Sequence, residues 1–402
     1  MIIKAYPAFP LVGWLCAICA VLAMLPGCGG VSASKTVTPP PPNCSIQVNA
    51  FDPPGPGGNN WNAFQNHVLP NPAIHGVALN VPWNSVETAQ GQYAAGLAAL
   101  DSQFANYPGK TIDLIFQPIT YSNFNNPPGG VNTLTPSYVF TTAWASSLNP
   151  PSPPLDVVTC PPYPGNGNPT TGFPAVYEAP FRVAYQNFIN AVLQHYKGSS
   201  IGYMRFGLSA GNETYPYCVP ELQALSAPNT FSTQLWENWI STMDAYEKSV
   251  LPSPPIQLME SLNHVPTDTT YISFPDFEAA TAASNGFGFG NNGLQKTDLT
   301  NSASGQPCTG DWCAMFDKYA GQVPLELQNA DPSDPSGTDP TNATGNLADL
   351  IPLAAAHHAT ILEILMPDLY LAFDPNYVPK YPADSAFAGA YSAAISNPCG
   401  SK

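Results

Sequence analysis

Basic side chains are scarce in this sequence: 11 Lys and Arg in 402 residues, against 27 Asp and Glu, for a formal net charge of −16. A chain so short of cations cannot neutralise a phosphate backbone, which excludes nucleic acid as a partner. Histidines number 6, and no His/Asp cluster falls where a metal would be held, so the sequence asks for no metal and no cofactor. No Gly-rich phosphate turn leads from the first strand into a helix, which argues against an open dinucleotide-binding sheet. After the first 28 residues no run has the length and apolarity of a membrane span. What remains is polar but weakly charged, rich in Pro, Gly, Asn, Ser, Thr and aromatics, with only 9% charged residues. Such a composition suits a neutral, hydroxyl-rich ligand.

The N-terminal stretch carries one early charge, Lys4, then an apolar run over residues 9–25 that closes on Leu25-Pro26-Gly27-Cys28. That ending resembles a bacterial lipobox, in which the cysteine is lipidated and becomes the mature N-terminus. Pro26 departs from the pattern, since a small residue is usual there; the alternatives are an ordinary export signal and an uncleaved anchor. The expectation is a signal peptide over 1–28 with Cys28 lipidated. A Pro/Ser/Thr-rich tether over 29–43 follows, and then one domain over 44–402. Three of the nine cysteines fall in the leader. The other six (Cys44, Cys160, Cys218, Cys308, Cys313 and Cys399) form no CxxC pair. In an exported chain an even set points to disulfides. The expected pairs are Cys160–Cys218, Cys308–Cys313 and Cys44–Cys399, with free or metal-bound thiols as the alternative.

Short apolar runs alternate with amphipathic stretches, the mark of βα units on a parallel sheet. Strands are predicted at 45–51, 76–82, 111–119, 201–208, 256–262, 286–289, 323–328 and 360–365. Helical stretches follow near 61–69, 95–107, 179–196, 231–248, 274–283, 311–319, 347–358 and 384–395. A long insertion, 121–177, separates the third strand from its helix, and insertions of that length are usually functional or disordered. Eight units is the number that closes a (β/α)8 TIM barrel, whose sites lie at the C-terminal strand ends.

The polar residues expected at those ends are few. They are Asn80 and Trp83 after strand two, with Glu87 beyond, then Gln117 and Tyr121 after strand three. Asn212, Glu213 and Tyr215 follow strand four, and Glu260, Asn263 and His264 strand five. Asn291, Asn292 and Gln295 follow strand six. Glu326 and Gln328 lie on strand seven, and Glu363 and Asp368 on or after strand eight, with Tyr370 beyond. Two carboxyl groups on opposite sides of a bond are what glycoside cleavage requires. Strands four and seven face each other across such a mouth.

The run Gly207-Leu208-Ser209-Ala210-Gly211-Asn212-Glu213 resembles the Asn-Glu ending of strand four in the large clan of retaining (β/α)8 glycoside hydrolases, which includes β-galactosidase-like and cellulase-like enzymes. The resemblance implies that Glu213 is the acid/base and Asn212 a binder of the sugar 2-hydroxyl. It also implies that a strand-seven Glu, here Glu326, is the nucleophile. The run Val81-Pro82-Trp83-Asn84-Ser85-Val86-Glu87 resembles the mouth-shaping segment of the β-galactosidase-like members. The expected partner is therefore an oligo- or polysaccharide. Substrate contacts are expected from Asn80, Trp83, Gln117, Tyr121, Asn212, Tyr215, Asn263, Asn292, Gln328 and Glu363. Leu327 and Gln328 continue the strand past Glu326, so Glu326 is set deep, and Glu363 and Glu260 are its rivals. Arg205 shares side-chain parity with Glu213; a Glu326 tied to Arg205 would make the strand-seven nucleophile wrong and put Glu363 or a non-catalytic glycan-binding barrel in its place. With so few cations, most buried carboxyls lack a basic partner and are pushed upward in pKa, as a general acid requires.

Overall fold

The computed structural model describes residues 45–120, 134–160, 172–266, 272–301, 306–307 and 311–399. Eight parallel strands form one sheet. They are β1 (Gln47–Phe51), β2 (Gly76–Pro82), β3 (Thr111–Gln117), β4 (Ile201–Phe206), β5 (Met259–Ser261), β6 (Gly288–Asn291), β7 (Leu325–Gln328) and β8 (Ile361–Leu365). The hydrogen-bonded order runs β4-β3-β2-β1-β8-β7-β6-β5. The last gap, between β4 and β5, is spanned by a parallel bridge from Met204 to Leu258 and a bond from Met204 N–H to the Gln257 carbonyl at 2.9 Å. The sheet is thus a nearly closed (β/α)8 barrel.

Strand periodicity sorts the residues. Val48 and Ala50, Val77 and Leu79, Ile112 and Leu114, Leu325 and Leu327, and Leu362 and Ile364 face outward into the main core beneath the helices. The alternating positions face inward. Phe51, Ala78, Ile115, Tyr203, Met259 and Ile361 make a small apolar inner cluster. Asn49, Asp113, Arg205, Glu326 and Glu363 share that interior, each at most 1% exposed.

The longer helices are α1 (Ala94–Phe104), α2 (Ala179–His195), α3 (Thr233–Val250), α4 (Ser273–Asn285), α5 (Asp311–Tyr319), α6 (Leu347–Ala356), α7 (Met366–Phe373) and α8 (Ala388–Ser396). Their ends follow ordinary capping chemistry. The Ser232 hydroxyl accepts the Leu235 N–H at 3.1 Å to start α3, and Gly286 at φ 80 ends α4. Strand five is shorter than predicted. Strand six sits two residues later, because Gly288 and Gly290, rather than Gly286, are the positions packed inside the barrel. The described part of the insertion carries helix Thr142–Ser147 and an antiparallel pair, Val157–Thr159 with Gly172–Pro174. A disulfide between Cys160 and Cys218, Cα–Cα 5.4 Å, ties it to the segment after β4, as expected. Cys313 and Cys399 are also disulfide-bonded. The partners expected for them, Cys308 and Cys44, lie outside the described residues, as do Cys28, the leader, the tether up to residue 44, and Tyr121.

Candidate active site

The backbone folds back on itself immediately after β4. Gly207 permits this, because a Cβ there would lie 2.7 Å from the Gly211 carbonyl oxygen. Gly211 N–H then bonds the Ile119 carbonyl at 2.7 Å and Ser209 N–H the Glu213 carbonyl at 3.1 Å. The Ser209 hydroxyl reaches the Tyr215 carbonyl at 2.5 Å. This knot sets Asn212 and Glu213, 7% and 6% exposed, at the mouth.

Two amides grip the Glu213 carboxylate. Asn263 Nδ2, from the end of β5, donates to Oε2 at 2.6 Å. Asn292 Nδ2, from the end of β6, donates to Oε1. Both oxygens are therefore oriented by neutral donors from neighbouring strands. His264 closes the arrangement: its Nδ1 lies 2.9 Å from Asn263 Oδ1, and its ring packs on Tyr215 with centroids 5.4 Å apart. Sequence reasoning assigned Asn263, Asn292 and Tyr215 to the site and left His264 as a loop residue. Asn80 and Gln117 meet on the adjoining rim, the Gln117 amide donating to Asn80 Oδ1 at 3.2 Å.

Strands seven and eight present a different chemistry. Glu326 is fully buried, and its Oε2 accepts from Arg205 Nη2 at 2.6 Å. Arg205 Nη1 lies 3.7 Å from Glu363 Oε2. Glu326 has room because β6 offers Gly290 opposite it, where a Cβ would lie 2.2 Å from Oε2. Glu326 Oε1 has no partner. Burial pushes the Glu326 carboxyl up to about 7, Arg205 pulls it down, and the charge of Glu213 pushes it up, so the two carboxyls sense each other. Burial, then the charge of Asp113, hold Glu363 well above the usual carboxylate range.

Glu326 lies as deep as Leu327 and Gln328 imply, and it meets the condition set against it as nucleophile, a bond to Arg205, which engages Oε2 and leaves Oε1 without a partner among the described residues. The last inward residue of β7 is Gln328, 5% exposed, and Glu326 lies one inward position deeper, paired to a guanidinium. Glu363 is no better placed, being equally buried and near the same cation.

Other expected site residues fall elsewhere. Trp83 is fully buried outside the barrel, where its ring meets Phe181, Tyr185 and Phe188 of α2 and its indole N–H donates to Glu87 at 2.8 Å. It is a packing residue, because the chain turns into a short helix, Trp83–Val86, and carries the ring away from the mouth. Glu87 is likewise buried, accepting also from Gly91 N–H and the Tyr138 hydroxyl. Glu260 faces outward from β5, since Met259 and not Glu260 joins the inner cluster. Asn291 faces outward toward Trp312 and Phe316. Asp368 is tied to Asn329 at 2.9 Å and to Ser333, and Tyr370 is buried with its hydroxyl 3.3 Å from the Asn60 carbonyl.

No protein-family profile matches the chain, and no curated protein matches it in sequence. The fold is similar to solved structures. One is the catalytic domain of the β-amylase from Paenibacillus polymyxa, at TM-score 0.52 and 10% identity over 80% of this chain and 92% of that one. Another is a thermostable mutant of a xylanase from Cellvibrio japonicus, at TM-score 0.48 and 12% identity over 88% and 97%. A third is the β-galactosidase from Marinomonas ef1, at TM-score 0.46 and 11% identity over 79% and 54%. At such identities the likeness establishes the barrel, not the chemistry.

Proposed function

We propose that this protein is a glycoside hydrolase that cleaves β-linked glycans with retention, Glu213 serving as acid/base and Glu326 as the second carboxyl. The observation that carries the proposal is Glu213 itself: a carboxyl at the barrel mouth, gripped by Asn263 and Asn292 from the next two strands. The charge coupling to Glu326 links it to a second carboxyl on the opposite strand. The similar fold of a β-amylase catalytic domain supports glycoside cleavage in general.

Glu213 protonates the leaving oxygen. Glu326 meets the anomeric carbon through Oε1, the oxygen that Arg205 leaves unengaged, and Glu213 then takes a proton from water. The nucleophile must be ionised. Burial alone would keep Glu326 protonated, and Arg205 offsets that penalty. The amides of Asn80, Gln117 and Gln328 and the Tyr215 ring offer neutral hydrogen bonds and a stacking face, which suit an uncharged sugar.

A second reading is favoured by one observation: Gln328 occupies the strand-end position and Arg205 engages Glu326. On that reading the barrel binds glycans without cleaving them. Reducing-end release from a panel of neutral β-glycans separates the two. The wild type is expected to release product, and Glu213→Gln to retain its fold while losing 100- to 10,000-fold in kcat, on the order of a lost acid/base. Glycan binding unaffected by Glu213→Gln, with no hydrolysis by the wild type, establishes the second reading. We also propose that the chain is exported and held at a membrane by lipid on Cys28. Fatty-acid labelling lost in Cys28→Ala is the expected result, and labelling that persists would refute the anchor.

A further inference from the structure

Behind the mouth, on the outer face of β5, four carboxyl groups share one buried layer. Glu260 of β5 meets Asp244 and Glu247 of α3 and Glu278 of α4, with exposures of 5%, 0%, 4% and 0%. Among the described residues no Lys or Arg pairs with any of them. All four carboxyl oxygens of Asp244 and Glu260 are buried without a hydrogen-bond partner among the described residues. Uncompensated charges in such a layer are too costly to persist.

Glu278 is the member that reaches the site. Its Oε2 accepts the backbone N–H of Asn263 at 3.3 Å, and that N–H also points at the Thr214 hydroxyl at 3.0 Å. The Thr214 hydroxyl donates to the Ser261 carbonyl at 3.3 Å. Thr214 is anchored in turn by its N–H to the Ser261 carbonyl at 3.1 Å. Asn263 and Thr214 bracket Glu213: one donates its side-chain amide to Oε2, and the other is its neighbour in sequence.

We propose that Glu278 is a positioning residue for Glu213, acting through the Asn263 N–H that it shares with the Thr214 hydroxyl to hold the amide that orients the Glu213 carboxyl. This rests on Glu213 being the acid/base. Glu278 does so as a neutral carboxyl. An anion there would face the charges of Asp244, Glu260 and Glu213, and among the described residues no Lys or Arg pairs with Glu278. Tyr185 of α2, which faces Glu247, supplies no positive charge either. Gln at position 278 preserves a neutral acceptor and Met preserves only volume, so the two substitutions separate positioning from packing.

The test is titration of the Glu213 carboxyl by NMR of protein labelled with carboxyl-13C Glu, assigned with Glu213→Gln. Glu278→Gln is expected to titrate as the wild type. Glu278→Met is expected to raise the apparent pKa of Glu213 by about half a unit or more, because a displaced Asn263 no longer favours the anion. Thr214→Val, which removes the other acceptor of the same N–H, is expected to shift it the same way and supplies the test if Glu278→Met does not fold. In turnover assays Glu278→Met is expected to lose roughly 10- to 100-fold in kcat with little change in KM, as a misplaced group does, and Glu278→Gln is expected to restore it. An unchanged Glu213 titration in folded Glu278→Met and Thr214→Val, or an equal shift in Glu278→Gln, overturns the proposal. Because the titration needs no substrate, a wild type without turnover sinks the glycosidase reading while the inference about Glu278 is still decided.

Discussion

The two sides of the barrel handle carboxyl groups in opposite ways. On the β4–β6 side, Glu213 is held by the side-chain amides of Asn263 and Asn292. On the β7–β8 side, Glu326 and Glu363 share one buried guanidinium. Amide donors orient a carboxyl while leaving it free to gain and lose a proton, which an acid/base must do twice in each cycle. A guanidinium favours the anion, which a nucleophile must be. A chain with 11 cations spends one of them inside its barrel, on the side where a standing negative charge is required.

That contrast is open to direct attack. The largest effect is expected from Glu326→Gln, which keeps shape but removes the nucleophile; kcat should fall on the order of 1,000-fold or more, beyond the range usual for losing a single hydrogen bond. Turnover within a few fold of wild type would assign Glu326 to structure alone. Arg205→Met should come next. It strands Glu326, Glu363 and Asp113 without a cation, and removing one partner of a buried pair costs about 3–5 kcal/mol, read as a lower denaturation midpoint. No change in midpoint would show that the interior carboxyls are already neutral and do not depend on Arg205.

The pH dependence of stability sharpens the same point. Asp244 and Glu326 are both raised by burial to about 7, and burial holds the other members of the outer layer well above the usual carboxylate range. A carboxyl whose folded pKa exceeds its unfolded one binds more protons in the native state, so its contribution is complete below about pH 4 and is lost as pH rises through 7. The melting temperature is therefore expected to fall by several degrees between about pH 5 and 8; a rise across that window contradicts the burial of uncompensated carboxyls. The smallest effect is expected at Trp83→Phe, which keeps the ring against α2 but deprives Glu87 of its indole donor. The expected cost is about 1–3 kcal/mol of stability with KM unchanged. A large rise in KM at full stability would return Trp83 to the sugar face.

The barrel was legible because parallel strands buried on both sides read as short apolar runs between amphipathic helices. Asn212-Glu213 was legible because a polar pair ended such a run. What sequence could not settle was side-chain direction. Glu260 and Asn291 sit near strand ends but on the outer face, and a one-residue change of parity moves a side chain from the inside of the barrel to the helix layer. Trp83 was lost to a helical turn that periodicity did not predict. The outer acidic layer does leave a signal in the sequence. Asp244 and Glu247 lie on the buried stripe of α3 with Trp236, Ile240 and Met243, and carboxyls on an apolar helical stripe mark a buried polar cluster. Arg205 was noted by parity as a counter-ion, but that it serves both Glu326 and Glu363 depends on how strands four, seven and eight converge.

The most direct test of the paired roles of Glu213 and Glu326 is the anomeric configuration of the first-formed sugar, followed by proton NMR during wild-type hydrolysis of a β-linked glycan. The β-anomer is predicted, since a glycosyl-enzyme formed on Glu326 and opened by water activated at Glu213 restores the starting configuration. An α-anomer would contradict the account: it would require water, and not Glu326, at the anomeric carbon.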